Sequence, residues 1–244
     1  MSTENKLIIA LDVDSLQKAR ELIAALRDIA GMFKIGMQLF TALGPVIVRE
    51  IINAGGRVFL DLKYHDIPNT VAAAGVEAAR LGVSIFNVHA AGGTEMMRRT
   101  ADAVASVSER EALSRPLIIG VTLLTSADAA VLAEIAVVNT PEQQVVALAQ
   151  LAAASGLDGV VASPNEVAAI RAAVDRTGVV KRKFIIVTPG VRPAGAAAHD
   201  QKRLMTPAEA IRAGSDYLVV GRPIIEALDP ITAAREILRE INSV

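Results

Sequence analysis

Short runs of apolar, mostly β-branched residues recur at regular intervals along the whole sequence. Continuous apolar runs of this length are typical of strands that are covered on both faces of a parallel sheet. We therefore predict eight strands, at residues 7–13, 32–36, 57–63, 85–90, 117–124, 159–163, 184–190 and 217–222.

The segments between these runs have the spacing of amphipathic helices. In 15–29 the apolar residues stand at positions 16, 19, 22, 23, 26 and 29, which is a period close to 3.6. The segment 69–82 follows Pro68 and closes on Gly82, and these residue types often begin and end helices. Each predicted strand is thus followed by a predicted helix.

Eight strand–helix units in 244 residues fit a closed (β/α)8 TIM barrel with its active site at the C-terminal ends of the strands. An open, doubly wound sheet is the alternative that the same alternation allows. Because no linker-like segment interrupts the pattern, we expect residues 1–244 to form a single barrel domain. The longest irregular connections, 126–142 and 191–205, are expected to be functional loops.

Composition narrows the possible functions. Hydrophobic residues make up 52% of the chain but aromatic residues only 3%, so the core must be aliphatic. Since 25 basic residues balance 26 acidic ones, there is no electrostatic footprint for nucleic acid. The absence of cysteine excludes disulfides and thiolate chemistry. With no signal-peptide pattern and no run of ~20 apolar residues, we expect a cytoplasmic protein without a membrane partner.

Polar residues collect at the predicted C-terminal ends of the strands, where barrel enzymes place their chemistry. The third strand is the most informative, because side chains alternate between its two faces. Even-numbered positions would face the helices, and Asp61 and Lys63 would both point into the barrel. The polar residues at strand ends are Asp12, Lys34, Asp61, Lys63, Asn87, His89, Thr122, Thr125, Ser163, Thr188 and Arg222.

A buried structural ion pair is the simplest alternative for Asp61 and Lys63. Such a pair roughly breaks even in stability, so burial alone gives little reason for its presence. The further charges of Lys34, Asp12 and Asp66 favour a functional cluster over an isolated pair.

A phosphate site is predicted after strands 7 and 8, where this fold commonly binds phosphate. Gly190 and Gly221 would let backbone N–H groups approach an anion, and Arg222 has the planar fork that matches phosphate oxygens. Arg192 and Gln201 lie in the loop that follows strand 7.

The histidines match no compact metal site by their spacing. We expect His65 to support its loop and His89 to form a hydrogen bond within the barrel mouth; His199 has no assigned role. A metal held by Asp61 together with His89 remains open as an alternative.

Seven short segments follow one another between residues 9 and 224. They are "IALDV", "FKIG", "FLDLKYHDIPNT", "VTLLTS", "TPGVRP", "DQKR" and "GRPI". In this order they resemble the orotidine 5′-phosphate decarboxylase family. The long string around "DLKYHDIPNT" separates that family from barrels that share only a D-x-K pattern. The resemblance implies a carbon–carbon lyase that converts orotidine 5′-phosphate to UMP in pyrimidine biosynthesis, without metal or cofactor.

The resemblance also implies roles for individual residues. Lys63 would protonate C6 of the pyrimidine and Asp61 would oppose the substrate carboxylate. Lys34 and Asp12 would contact the ribose hydroxyls, and Thr125 the pyrimidine. In the implied homodimer, Asp66 and Thr70 would reach the neighbouring active site. The residues implied in gripping the phosphate are Arg192, Gln201, Gly221 and Arg222.

Two other functions stay open at this point. A metal-dependent decarboxylase or epimerase of a sugar phosphate would share the D-x-K strand and the phosphate site. A non-catalytic barrel that binds phosphate as a scaffold or sensor would share the phosphate site but would not need the charges of strand 3.

Overall fold

A computed structural model describes residues 6–175, 183–193 and 205–244. Eight parallel strands form a closed barrel in which each strand pairs with the next and β8 pairs with β1. The strands are β1 (Leu7–Ala10), β2 (Met32–Gly36), β3 (Val58–Tyr64), β4 (Ile85–His89), β5 (Leu117–Val121), β6 (Gly159–Val161), β7 (Ile185–Pro189) and β8 (Tyr217–Val220). The predicted barrel is confirmed, and the open doubly wound alternative is wrong, because β1 and β8 close the sheet.

Helices cover the outside of the barrel and connect its strands. In the described ranges they are α1 (Leu16–Leu26), α2 (Met37–Leu43), α3 (Val46–Asn53), α4 (Pro68–Arg80), α5 (Gly93–Arg110), α6 (Ala129–Glu134), α7 (Pro141–Ala154), α8 (Val167–Asp175), α9 (Pro207–Arg212), α10 (Arg222–Ile225) and α11 (Pro230–Asn242). None of them combines the length and the apolarity that a membrane crossing requires, within these described residues.

Local sequence explains where several helices begin. Proline occupies the first turn of α4 and α7, where its missing N–H costs no intrahelical hydrogen bond. Helix α7 also has a capping box, in which Thr140 accepts from the backbone of Gln143 and the Gln143 side chain accepts in return. The start of α4 at Pro68 confirms the helix that the sequence predicted there.

The core has two layers, one inside the barrel and one between the sheet and the helices. Phe59 packs inside, whereas Val58 and Leu60 belong to the outer layer, as the alternation along the third strand predicted. The inner layer consists of Ile8, Ala10, Met32, Phe59, Ile85, Ile119, Ile185, Val187, Tyr217 and Val219. This layer is apolar, so the polar inward-facing residues lie above it at the C-terminal ends of the strands.

Two details differ from the prediction. The connection 126–142 is not wholly irregular, because Asp128 caps the short helix α6 within it. Strand β7 places Thr188 on its outer face, where the hydroxyl is 2.8 Å from the hydroxyl of Ser215 and fully buried. Thr188 therefore belongs to the barrel wall and not to the barrel mouth, since it alternates with the inward-facing Val187.

Candidate active site

Charged side chains from the first three strands form a continuous array at the barrel mouth. The Lys34 ammonium on β2 lies 2.9 Å from Asp12 Oδ1 and 3.4 Å from Asp61 Oδ2. The Lys63 ammonium donates to Asp61 Oδ1 at 2.7 Å. The charges therefore alternate in sign along the series Asp12, Lys34, Asp61 and Lys63. Asp61 lies between the two ammonium groups.

Asp61 is held as a carboxylate. Burial is the largest single effect and raises its pKa. The charges of Lys34 and Lys63 and the hydrogen bonds from Lys63 and Asn87 all lower the pKa, and together they outweigh burial. The net result is a pKa below the ordinary value of 3.8. Because the side chain is only 13% exposed, its charge is balanced by these neighbours and little by water.

Lys63 has an unusual backbone conformation at this point of the array. Its φ is +53°, in the left-handed region that a lysine seldom occupies. The register between β3 and β4 also shifts between Leu60 and Tyr64. Irregularities of this kind occur beside active sites because they redirect a side chain, and a non-glycine residue in this region costs about 1–3 kcal/mol.

Three members of the array, Lys34, Asp61 and Lys63, line a cavity of about 230 Å³. Much of the remaining wall is apolar, and Thr125 lies in it at the start of the loop after β5. The lining residues are Lys34, Phe59, Asp61, Lys63, Val121, Leu123, Leu124, Thr125, Ser126, Val161, Ala162, Pro189 and Val219. Concave sites with an apolar wall and a few convergent polar groups are typical of small-molecule binding.

Gly36 lies close to the charged array at the mouth. A Cβ there would lie 3.0 Å from Lys34 Nζ and 3.1 Å from Asp12 Oδ1. A larger residue at this position would therefore require the salt bridge between Lys34 and Asp12 to shift by a few tenths of an ångström.

The predicted phosphate residues lie at the ends of the last two strands, as far as the structure describes them. Gly190 follows β7 with a φ of +80°, which glycine adopts without strain. Arg192 is 7% exposed and its Nη1 donates to the carbonyl of Val191 at 3.0 Å. Gly221 precedes Arg222, which begins α10. Gln201 lies outside the described residues, as does most of the loop 191–205.

Asp66 and Thr70 do not join the charged array of their own chain. Both are exposed, and Asp66 Oδ1 accepts from the backbone N–H of Ile67 at 2.6 Å. They line a second cavity of about 310 Å³ together with Leu62, Lys63, Tyr64, His65, Val71 and Ala74. Lys63 borders both cavities.

His65 and His89 stack beside Lys63, with ring centroids 5.3 Å apart and an angle of 21° between the rings. Burial, assisted by the nearby His65 and Lys63, lowers the pKa of His89 below 6.5. The predicted hydrogen bond of His89 is not found at Nδ1, which is buried without a partner among the described residues. The stack is the ring contact that His65 makes, and its support of the loop stays a prediction.

No group of three or more His, Asp and Glu side chains within the described part of the chain is arranged to hold a metal ion. His199 lies outside that part.

Comparisons with known proteins decide the family. The model of the "Orotidine 5'-phosphate decarboxylase / HUMPS family" matches residues 5–237. The chain belongs to this family. It is 53% identical to an orotidine 5′-phosphate decarboxylase of Syntrophotalea carbinolica over 99% of this chain and 96% of the relative. It is 52% identical to the Moorella thermoacetica enzyme of the same name, over 100% of this chain and 95% of the relative.

Solved structures agree with this family. The crystal structure of orotidine 5′-phosphate decarboxylase from Lactobacillus acidophilus has a TM-score of 0.82 and 35% identity, covering 97% of this chain and 98% of that chain. An uncharacterized conserved protein from Geobacillus kaustophilus has the same TM-score at 36% identity, covering 97% and 100%. The resemblance found in the sequence motifs is confirmed.

In this decarboxylase-family barrel, the strand-end residue of greatest interest to which the sequence assigned no role is Asn87. It is fully buried on β4, donates to Asp61 Oδ1 at 2.6 Å and accepts from the Lys63 backbone N–H at 2.8 Å. The signal in the sequence was an amide at an inward-facing position of a buried strand. Thr122 lies just beyond β5, and its hydroxyl donates to the carbonyl of Val161.

Proposed function

We propose that this chain catalyses the decarboxylation of orotidine 5′-phosphate to uridine 5′-phosphate and CO2, the last step of de novo UMP synthesis, without metal or cofactor. The observation that carries the proposal is the alternating array of Lys34, Asp61 and Lys63 beside an apolar cavity, in a chain of this family. We infer that the reaction takes place in the cytoplasm.

Substrate binding uses both ends of the nucleotide. The pyrimidine occupies the cavity and contacts Thr125, while Lys34 and Asp12 bind the ribose hydroxyls. The phosphate is bound by the backbone at Gly221 and by the side chains of Arg192, Gln201 and Arg222. Binding energy from the phosphate, remote from the reacting carbon, can help to exclude water from the cavity.

The chemical step breaks the bond between C6 and the carboxylate carbon, and the bonding electron pair stays on C6. No carbonyl is positioned to accept that charge, so the protein must stabilise it electrostatically. The Lys63 ammonium approaches C6, stabilises the developing carbanion and transfers a proton to it. The resulting amine takes a proton from solvent and is ready for another turnover.

Asp61 acts on the other partner of the breaking bond. As a carboxylate, it faces the substrate's own carboxylate with a repulsion of roughly 4 kcal/mol at ~4 Å and an effective dielectric near ~20. This repulsion disappears when neutral CO2 leaves. The repulsion therefore raises the free energy of the bound substrate relative to that of the transition state.

We also propose that the enzyme is a homodimer with shared sites. Asp66 and Thr70 are exposed and line the second cavity, which Lys63 also borders. Ile67, which lies between them, is 66% exposed and offers apolar surface for a partner. A second copy that covers this surface would bring its Asp66 and Thr70 to the substrate.

The decisive experiment follows the ultraviolet absorbance of orotidine 5′-phosphate on addition of protein that has been treated with EDTA. We expect an absorbance decrease and stoichiometric formation of UMP, with no gain when Mg²⁺ or Zn²⁺ is added back. Loss of activity that a divalent ion restores would favour the metal-dependent alternative. Tight UMP binding without turnover would favour the non-catalytic barrel.

A further inference from the structure

Asn87 connects the two residues on which the proposed chemistry depends. Its Nδ2 donates to Asp61 Oδ1 at 2.6 Å, and its Oδ1 accepts from the backbone N–H of Lys63 at 2.8 Å. One amide therefore fixes the carboxylate of Asp61 and the main chain of Lys63 at the same time. The Lys63 ammonium donates to the same Oδ1 of Asp61 at 2.7 Å, which closes the network.

The position of Asn87 in the barrel is costly for a polar residue. Its side chain is fully buried, and its neighbours on β4, Phe86 and Val88, are apolar and equally buried. A buried amide is tolerated when its hydrogen bonds are formed. In the described structure the Asn87 side chain forms hydrogen bonds with Asp61 and Lys63, so the amide serves the charged array and not the barrel wall.

The backbone of Lys63 needs such a restraint. Its left-handed φ of +53° and the register shift at the end of β3 leave this part of the strand outside the regular β3–β4 ladder. The hydrogen bond from the Lys63 backbone N–H to Asn87 Oδ1 takes the place of a ladder contact at that point. Without it, the chain could relax to an extended conformation and turn the ammonium in another direction.

We propose that Asn87 is a positioning residue for the decarboxylation: it holds Lys63 in its left-handed conformation and orients the Asp61 carboxylate against the Lys63 ammonium. This inference rests on the proposed function, since it assigns Asn87 to the alignment of that reaction. Asn87 does not reach the substrate in this role and acts through Asp61 and Lys63. Its loss should lower kcat and leave substrate affinity nearly unchanged.

The test compares wild type with Asn87→Leu, which has similar volume and forms neither hydrogen bond. We expect kcat for orotidine 5′-phosphate to fall roughly a hundredfold, the effect of displacing a reacting group by about 1 Å. KM and the Kd of UMP should stay within about threefold, because the two hydrogen bonds of Asn87 align groups that act in the transition state and not in binding. Thr188→Val is the matched control, since it also removes a buried side-chain hydrogen bond but on the outer face of β7.

A second variant, Asn87→Asp, separates positioning from folding. It keeps an oxygen that can accept from the Lys63 N–H, but it places a carboxylate against Asp61. The nearby cations are Lys34 and Lys63. The next ionisable groups are Asp12 and His89. Repulsion by Asp61 raises the pKa of the new carboxyl above its usual ~3.9. Protonation restores a donor to Asp61, so kcat relative to wild type should recover as the pH falls.

The outcomes separate the two proposals. A folded Asn87→Leu protein with kcat within about twofold of an active wild type would overturn the positioning role. So would a rise in KM at constant kcat, which is the mark of a binding contact. If Asn87→Leu does not fold, Asn87→Asp decides: reduced kcat that recovers at lower pH supports the role, and an unchanged kcat or one without recovery refutes it. An inactive wild type would overturn the proposed function and this inference with it.

Discussion

Single residues at the barrel mouth show how burial and neighbouring charge set protonation. Asp61 is buried, and yet its pKa is lowered, because two ammonium groups and an amide donor outweigh the cost of desolvation. His89 ends the neighbouring strand β4, and its nearby charges do not offset its burial, so its pKa is lowered and the neutral ring is favoured. The same region of the barrel therefore holds a charged carboxylate and an uncharged imidazole.

Replacement of Lys63 by alanine tests its role as the proton donor. We expect Lys63→Ala to lower kcat by about a thousandfold or more, since it loses both proton transfer and carbanion stabilisation. The Kd of UMP, measured by calorimetry, should change far less. Lys18→Ala, on the exposed side of α1, is the control and should keep wild-type activity. A near-normal kcat for Lys63→Ala would rule out Lys63 as the donor.

The lowered pKa of His89 predicts a pH dependence of stability. Unfolded histidine binds a proton near pH 6.5, while folded His89 resists protonation until a lower pH. The unfolded state therefore gains protons first as the pH falls below 6.5, and the free energy of unfolding decreases until the folded pKa is reached. Urea unfolding should show this decrease in wild type and a smaller one in His89→Gln. Equal decreases in both proteins would contradict a buried neutral His89.

At the scale of elements, strand neighbours determine which residue types are possible. In β6, Gly159 lies so close to β7 that a Cβ would be 2.1 Å from the carbonyl oxygen of Ile185. In β5, a Cβ on Gly120 would meet side-chain carbons at 3.3 Å, which can shift. Sequence alone predicts a strand at both places, but only the packed sheet shows that one glycine is required by backbone approach.

These two glycines give a matched pair of substitutions. Gly159→Ala should destabilise the protein by about 3 kcal/mol or more, because β6 and β7 must separate to relieve a contact with backbone. Gly120→Ala should cost less, about 1 kcal/mol, because the Leu157 side chain can rotate and the contact with Ala152 needs only a few tenths of an ångström of movement. Chemical denaturation of both variants measures the difference. Similar losses in the two proteins would show that β6 and β7 can separate easily.

At the scale of the whole molecule, closure of the barrel brings the first and last strands together at the site. Asp12 follows β1, and Gly221 follows β8, yet a Cβ on Gly221 would lie 3.8 Å from Asp12 Oδ2. The charged array and the proposed phosphate residues therefore share one mouth. Asp66 and Thr70 lie outside that array, and in the proposed homodimer they complete the site of the partner.

Mixing inactive variants tests whether the sites are shared. The Lys63→Ala dimer is mixed with the Asp66→Asn dimer and the subunits are allowed to exchange. Each hybrid dimer should then have one site that carries both changes and one site that carries neither. Equal amounts would restore about a quarter of the wild-type activity if exchange is random. The control pair is Lys63→Ala with Asp61→Asn, which should show no recovery because both residues belong to the same array. Failure to recover in the first pair, after exchange is verified by mass spectrometry, would contradict shared sites.

The sequence by itself determined the barrel and pointed to most residues of the candidate site. Strand and helix periods, with proline-first helix starts, predicted the alternation of elements, and period-two spacing placed Asp61 and Lys63 on the inner face of β3. These features are local, because backbone geometry fixes them within a few residues. The family resemblance added the substrate and the roles of Asp66, Thr70 and the phosphate residues, which local pattern does not contain.

Only the tertiary structure decided how the residues of different strands meet. It placed Asn87 between Asp61 and the Lys63 backbone, turned Thr188 outward and left His89 Nδ1 buried without a hydrogen-bond partner among the described residues. Each outcome depends on the register between neighbouring strands and on the irregular end of β3, where Lys63 has a positive φ. Register is set by the packing of the whole closed sheet, so it cannot be derived from any one strand of the sequence.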